Sequence, residues 1–331
     1  MAMGRARKNS KDHWMPARVY RGKSAYEWHP PAGGAIRLAS LAARPAVVIR
    51  RYDEEVARAN QTKGSVAALL EEFFDSLEFK SLAAGTQKQY QKNSKTIIAV
   101  FGKMAAAAVK TQQVRQFMDK RGESAQTTAN RELALFSRVY SWAYERGKVP
   151  LNPCKGVRRF TEKPRDRYIT DDEYYAVLAQ APDRLRAIIE IAYCCAARIS
   201  DVLKLQREDI REEGIYIKQG KTGKEQIKAW TPRLRSAYEV TKGIGLQSTT
   251  HVLTTSKGGP IAYNTFRKWW TTAKAKAEEA NPDIAFDFTF HDIKAKSISD
   301  WEGDKQKFSG HKTQGQVAVY DRKVPIVGAH E

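Results

Sequence analysis

His311 and Tyr320 stand nine positions apart in Ser309-Gly310-His311-Lys312-Thr313-Gln314-Gly315-Gln316-Val317-Ala318-Val319-Tyr320. Upstream lie Arg198 and Asp201 in Ala196-Ala197-Arg198-Ile199-Ser200-Asp201, then Lys221 in Gly220-Lys221-Thr222-Gly223-Lys224, then His291 and Lys294 in His291-Asp292-Ile293-Lys294. The set holds one nucleophile candidate, two imidazoles and several cations. Cleaving a phosphodiester needs a nucleophile, charge relief for two non-bridging oxygens, and a proton for the leaving oxygen. No Asp, Glu, His or Cys cluster has convincing metal-ligand spacing, so side-chain cations would have to supply the charge relief.

Each residue fits one of those tasks. Arg198 is expected at the end of a buried helix, where a fixed scaffold presents its guanidinium fork to phosphate. Asp201, about one turn on, could hold that fork, or the two could be a structural pair. Lys221 is expected at the tip of a hairpin, where a mobile turn carries an ammonium to a leaving oxygen; Lys224 competes for the role. His291 and Lys294, at i and i+3, share a helix face, one as base and the other towards phosphate. Read alone, His291 serves equally as a helix-start hydrogen-bonding residue. Tyr320 has a phenol with a pKa of about 10, a poor nucleophile until a base and cations favour its ionised form.

These side chains need elements to position them. Leu185 to Ala197 is apolar nearly all round and predicts a central buried helix, with another starting at Asp201 to Leu205. Ile215/Ile217 and Ile227/Ala229 alternate around the Gly220–Lys224 turn as a hairpin. Thr170-Asp171-Asp172-Glu173 predicts a capping box and a helix to about Gln180. Helices are expected at about 232–243, 263–279, 291–300 and 312–320, with a short strand at His251 to Thr254. Upstream, 65–160 reads as helical throughout, with separate helices at 86–101, 111–119 and through Leu133, Leu135, Phe136, Val139 and Trp142. Three short strands around residues 17–39 and a helix over 45–60 precede it. The fold class is mainly α with small antiparallel β-sheets, in several domains.

Composition agrees with a nucleic-acid partner. The 331 residues carry 57 Lys+Arg against 37 Asp+Glu, a net charge of +20, which marks a polyanion-binding surface. A hydrophobic content of 42% supports packed cores and excludes a globally disordered chain. The candidate DNA contacts are Arg5, Arg7 and Lys8 in a basic N-terminal tail, and Lys88, Lys92, Lys95 and Arg131 on the helical domain. Cys154, Cys194 and Cys195 lack ligand spacing and are expected to be reduced thiols in a cytosolic protein. No stretch has the length of a signal peptide core or a membrane span.

In this order, Arg198, Lys221, His291, Lys294, His311 and Tyr320 resemble the tyrosine recombinase (phage integrase) family. Its pattern is Arg on a helix, Lys on a hairpin, His-x-x-Arg, then Gly-His with a Tyr nine residues on. Lys294 departs from it by standing where arginine is usual. The N-terminal region resembles the arm-binding domain of lambda-type integrases. The resemblance implies a small three-stranded domain over residues 1–61, a helical SAM-like core-binding domain over 62–163, and the catalytic recombinase domain over 164–331. It implies strand breakage and rejoining through a 3′-phosphotyrosyl link, with no cofactor and no metal. Partners would be double-stranded DNA attachment sites and a homotetramer on DNA. A bending host factor or an excisionase could join them. The setting would be the cytoplasm and nucleoid of a bacterial host, during integration or excision of a phage or mobile element. A DNA-binding regulator with a weakened site, a resolvase and a topoisomerase IB-like enzyme stay open as alternatives.

Overall fold

The computed structural model describes residues 12–30, 34–62, 64–243 and 250–328. Arg5, Arg7 and Lys8 lie outside them. The chain divides into two compact units, Met1–Glu162 and Lys163–Glu331. The fold is mainly helical with small antiparallel sheets, as the periodicity predicts.

In the first unit, β1 (Val19–Arg21), β2 (Ala25–Trp28) and β3 (Ile36–Ser40) form an antiparallel sheet in chain order, with a register shift between Tyr26 and Glu27. Val19, Tyr26, Trp28 and Leu38 bury against Val48 of α1 (Pro45–Thr62). Next come α2 (Val66–Asp75), α3 (Leu77–Lys80), α4 (Ala84–Phe101) and α5 (Thr111–Glu145). Ser65 and Ser76 start α2 and α3 by accepting the N–H groups of Ala68 and Phe79, filling donors that every helix start leaves open. The core is aromatic, with Phe101, Phe136 and Tyr140 in edge or tilted contact; fully burying each such ring contributes about 1.5–3 kcal/mol. The two helices expected at 111–119 and around 133–142 are one run, interrupted only at Ala125 (φ −155°, ψ 63°).

The second unit holds α6 (Asp171–Gln180), α7 (Asp183–Cys194), α8 (Ile199–Val202), the hairpin β4 (Gly214–Lys218) and β5 (Glu225–Ala229), then α9 (Pro232–Lys242), α10 (Tyr263–Ala280), α11 (Phe290–Asp300), α12 (Lys305–Ser309) and α13 (Gln314–Ala318). The Thr170/Glu173 capping box is present in both directions. Ile188, Ile191, Val202, Ile215, Phe266, Phe288 and Ile293 sit in one core, so the hairpin and the chemistry-bearing helices share a single scaffold.

Four expectations change. The helix expected from Asp201 to Leu205 starts at Ile199 and ends at Val202, because extended Arg198 opens it as the residue before its first turn. The buried helix stops at Cys194 rather than Ala197, because Ala196 turns left-handed (φ 48°) and closes the end: Ala197 N–H donates to Ala192 O and Ala196 N–H to Tyr193 O. Residues 251–254 form only isolated bridges, His251 with Gln206 and Thr254 with Pro260, since neither side offers a second paired residue. The helix expected over 312–320 shortens to α13 (Gln314–Ala318), capped by the Thr313 side chain and ended at Val319, and the unforeseen α12 precedes it, closed by left-handed Gly310 (φ 69°). Among the described residues no helix is long and apolar enough to cross a membrane.

Candidate active site

Arg198 owes its position to the left-handed turn at Ala196. The turn ends α7 and leaves Arg198 extended (φ −78°, ψ 147°) as the residue before α8. Its Nη1 donates to Gln219 Oε1 at 3.0 Å. The expected Arg198–Asp201 contact is not formed among the described residues. Asp201 Oδ1 instead accepts the Gly220 N–H at 3.1 Å and the Ser200 hydroxyl at 3.3 Å. The carboxylate therefore anchors the hairpin turn, while only the backbones of Arg198 and Asp201 are joined, by the Asp201 N–H donating to the Arg198 carbonyl at 2.9 Å. Lys221 follows Gly220 and stands exposed at the hairpin tip.

α11 carries His291 and Lys294 one turn apart. Thr289 and Asp292 cap it, with Thr289 N–H and hydroxyl both donating to Asp292 Oδ2 at 2.8 Å. Lys294 is 1% exposed, and its Nζ has no hydrogen-bond partner among the described residues. It lies 5.9 Å from the Tyr320 ring centroid. Burial, then the Arg198 and Lys228 charges, pull its pKa down to about 7, and Asp201 only partly opposes this. Such an ammonium has no hydrogen-bonded counter-anion among the described residues.

His311 follows the left-handed Gly310, a position closed to larger residues: a Cβ there would lie 2.7 Å from Gln226 Oε1 and 2.8 Å from Gln219 Nε2. The His311 Nδ1 hydrogen-bonds Ser309 Oγ at 2.8 Å, while Nε2 is buried without a partner among the described residues. Burial, then Lys294 and Arg198, hold its pKa down at about 4, so the ring is neutral near pH 7.

Tyr320 stacks on His311, with ring centroids 4.8 Å apart and planes at 27°. Its hydroxyl lies 3.3 Å from His291 Nε2. It stands not at a helix end but in the turn after α13, with its N–H donating to Val317 O. Ser299 Oγ donates to the Tyr320 carbonyl at 3.0 Å and accepts the Arg322 N–H at 2.7 Å, which pins the backbone on both sides of the ring. Lys305 and Asp321 pair at 2.7 Å nearby.

Arg198, His291, Lys294, His311 and Tyr320 thus converge, Asp201 joins through the hairpin's Gly220 N–H, and Lys221 stands exposed on that turn without being brought against them. Lys88, Lys92 and Lys95 are exposed on α4, whereas Arg131 is paired with Glu162 at 2.9 Å. Two further site residues, Gln219 and Lys228, are not among those the sequence singles out. Lys228 is a buried strand lysine whose ammonium donates to the Phe308 carbonyl and lies over the Phe308 ring. Burial lowers its pKa to about 8. The sequence carries no signal for it, since Ile227 and Ala229 mark the other phase as apolar, yet in the fold Ile227 is exposed and Lys228 buried.

The sequence matches the phage integrase family over residues 167–323 and the phage integrase N-terminal SAM-like domain over residues 70–147. The chain belongs to the phage integrase family. Among its relatives, the integrase of Escherichia phage HK022 is 26% identical over 199 residues, which is 55% of this chain and 54% of that one. The integrase of Escherichia phage lambda is 23% identical over 205 residues, 56% and 55% of the two chains. Tyrosine recombinase XerD of Ralstonia nicotianae is 27% identical over 120 residues, 34% and 39% of the two chains. The chain spans about half the length of the phage relatives it matches. In fold it is similar to a lambda integrase dimer bound to a COC′ core site, with a TM-score of 0.71 at 19% identity over 81% of this chain and 99% of that one. A lambda integrase tetramer bound to a Holliday junction gives 0.67 at 18% identity over 90% and 96%.

Proposed function

We propose that this phage integrase family member is a site-specific DNA recombinase that breaks and rejoins strands through Tyr320. The observation that carries the reading is the His291 Nε2–Tyr320 hydroxyl contact of 3.3 Å beside half-buried Arg198 and buried Lys294, whose ammonium has no hydrogen-bond partner among the described residues. The phenol oxygen attacks the scissile phosphorus as His291 takes its proton. Arg198, Lys294 and the His311 Nε2–H stabilise the charge building on the non-bridging oxygens. The bond to the 5′ oxygen breaks, Lys221 protonates that oxygen, and a 3′-phosphotyrosyl ester remains. Attack by the 5′-hydroxyl of another strand reverses each transfer, so bond energy is conserved and no external energy source is consumed.

The partners follow from the reaction: duplex attachment sites, and a homotetramer able to join two of them. The relatives solved on a core site and on a Holliday junction support this, as does the Tn1549 transposon integrase solved with circular intermediate DNA. The element moved would be a phage or other mobile DNA in the bacterial cytoplasm, with a bending factor or an excisionase as accessory partners. A DNA-binding regulator with a weakened site is disfavoured by the gathered geometry, and a resolvase or topoisomerase-like enzyme would use the same chemistry.

The test is a nicked suicide duplex carrying an attachment site. Wild type should form a covalent protein–DNA adduct that Tyr320→Phe cannot form. Wild type that binds the duplex but never forms an adduct would refute the enzyme reading. Recombinant product from paired sites separates a recombinase from a relaxing enzyme.

A further inference from the structure

The end of α12 is short of donors. A helix leaves its last carbonyls unsatisfied, and a five-residue helix consists largely of such ends. Here three successive carbonyls, Lys307, Phe308 and Ser309, receive side chains from the β4–β5 hairpin. Gln226 Nε2 donates to Lys307 O at 2.6 Å, Lys228 Nζ to Phe308 O, and Gln219 Nε2 to Ser309 O at 2.9 Å.

Gln219 differs from the other two because its amide works in both directions. It is 5% exposed. Its Oε1 accepts Arg198 Nη1 at 3.0 Å and the Thr222 hydroxyl at 3.0 Å, while its Nε2 caps the turn that leads to His311. Its backbone N–H closes the hairpin turn on Lys224 O at 2.8 Å. One amide therefore touches the Arg198 guanidinium, the turn beside Lys221 and the segment that sets His311.

We propose that Gln219 is a positioning residue that holds Arg198, the Lys221 hairpin and the His311 turn in register for attack on the phosphate. This rests on the proposed strand-cleavage function. Glutamine suits the place because it offers an acceptor and a donor on one rigid plane. A neutral acceptor also orients the guanidinium without cancelling the charge that a phosphate must meet.

Gln219→Glu tests this with almost no change of shape. The carboxylate still accepts from Arg198 and Thr222, but it neutralises the guanidinium and sets an oxygen against the Ser309 carbonyl. Single-turnover adduct formation on the suicide duplex at saturating protein should fall about a hundredfold, the scale expected for slight misplacement of a reacting group. Duplex affinity should stay within about twofold, since most of it comes from backbone contacts elsewhere. Gln226→Leu is the comparison, because it removes a cap of the same turn without touching Arg198. It should slow the adduct by less than about tenfold. Gln219→Glu cleaving within about threefold of wild type would overturn the inference, as would equal losses in the two variants, which would reduce Gln219 to a turn anchor. Wild type forming no adduct would instead sink the strand-cleavage reading itself.

Discussion

Arg322 Nη1 lies 2.7 Å from Asp292 Oδ1, with the side chains only 6% and 1% exposed. The pair ties the residue two places after Tyr320 to the residue one place after His291, so hydroxyl and imidazole are framed within a single chain. Arg322 also donates to the Arg167 carbonyl at 3.0 Å, and Arg165 approaches Asp292 to 3.2 Å. Deleting the carboxylate leaves Arg322 buried with its charge uncompensated. Asp292→Ala should lose about 3–5 kcal/mol in urea unfolding. A loss below about 1 kcal/mol would show that the pair is not sealed in solution.

The His291–Tyr320 contact predicts an acid limb. Burial is the main cause holding the His291 pKa below its ordinary value; Asp292 opposes it, and Lys294, Arg198 and Arg322 add to it. The ring is therefore neutral, and able to accept the phenol proton, at neutral pH. The adduct rate should rise with pH through a value below the usual histidine range and level off above it. His291→Ala should slow the adduct by about 10²–10⁴-fold and remove that limb. Survival of the limb in this variant would assign it elsewhere.

Lys294 predicts an alkaline limb that an arginine would abolish. With its pKa near 7, the DNA-free protein carries the Lys294 charge below that pH and loses it above. Duplex capture should weaken with rising pH, and a phosphate that does bind should bring a proton with it, measurable as buffer-dependent heat. Lys294→Arg keeps its charge throughout and should flatten the profile. An unchanged profile would remove Lys294 from the phosphate.

The same residue bears on stability, and the sign follows from linkage. Unfolded lysine titrates near 10.4, above its folded value, so the unfolded state binds the extra proton between the two values. The penalty is full below about pH 7 and disappears as pH rises towards the unfolded value. Lys294→Met should accordingly stabilise the protein by about 1–4 kcal/mol near neutral pH. Thermal scans should show that advantage shrinking by about pH 10; a destabilised variant at both pH values would contradict it.

Asp201 predicts a positional defect. Asp201→Asn keeps an acceptor for Gly220 N–H, whereas Asp201→Ala leaves that donor open at a cost of about 1–3 kcal/mol. The alanine variant should cleave more slowly than the asparagine one, most clearly on a duplex where departure of the 5′ oxygen limits the rate. Equal rates would mean that the hairpin holds its place without Asp201.

The α4 lysines address DNA affinity apart from chemistry. Replacing Lys88, Lys92 and Lys95 with alanine should lower the slope of log affinity against log salt by about 0.9 for each phosphate that these side chains neutralise. Binding that keeps its wild-type slope would move the DNA-facing surface elsewhere.

Much of the site is legible in the sequence because it depends on local grammar. The Thr170–Glu173 box, the Gly220–Lys224 turn and the nine-residue step from His311 to Tyr320 are short patterns with a physical reason each. What stays hidden joins distant places. Gln219 meets Ser309 ninety positions later, and Asp292 meets Arg322 thirty positions later. Ala196 looks like any helix alanine, since nothing in its type announces a left-handed backbone. Sequence spacing pairs Asp201 with its neighbour Arg198, whereas in the fold its carboxylate accepts the Gly220 N–H of the hairpin. Lys228 looks like a strand-surface charge, and only the packed Phe308 ring explains why an ammonium lies inside.

The three cysteines carry a practical consequence. Burial raises the pKa of all three, Cys194 to about 11 and Cys154 and Cys195 further. At neutral pH they are thiols rather than thiolates, slow towards maleimides and oxidants. A cysteine placed at exposed Lys224, beside the hairpin tip, would then be the fast-reacting one on an otherwise native background. A dye attached there would report in real time any change in the hairpin's surroundings when duplex is added.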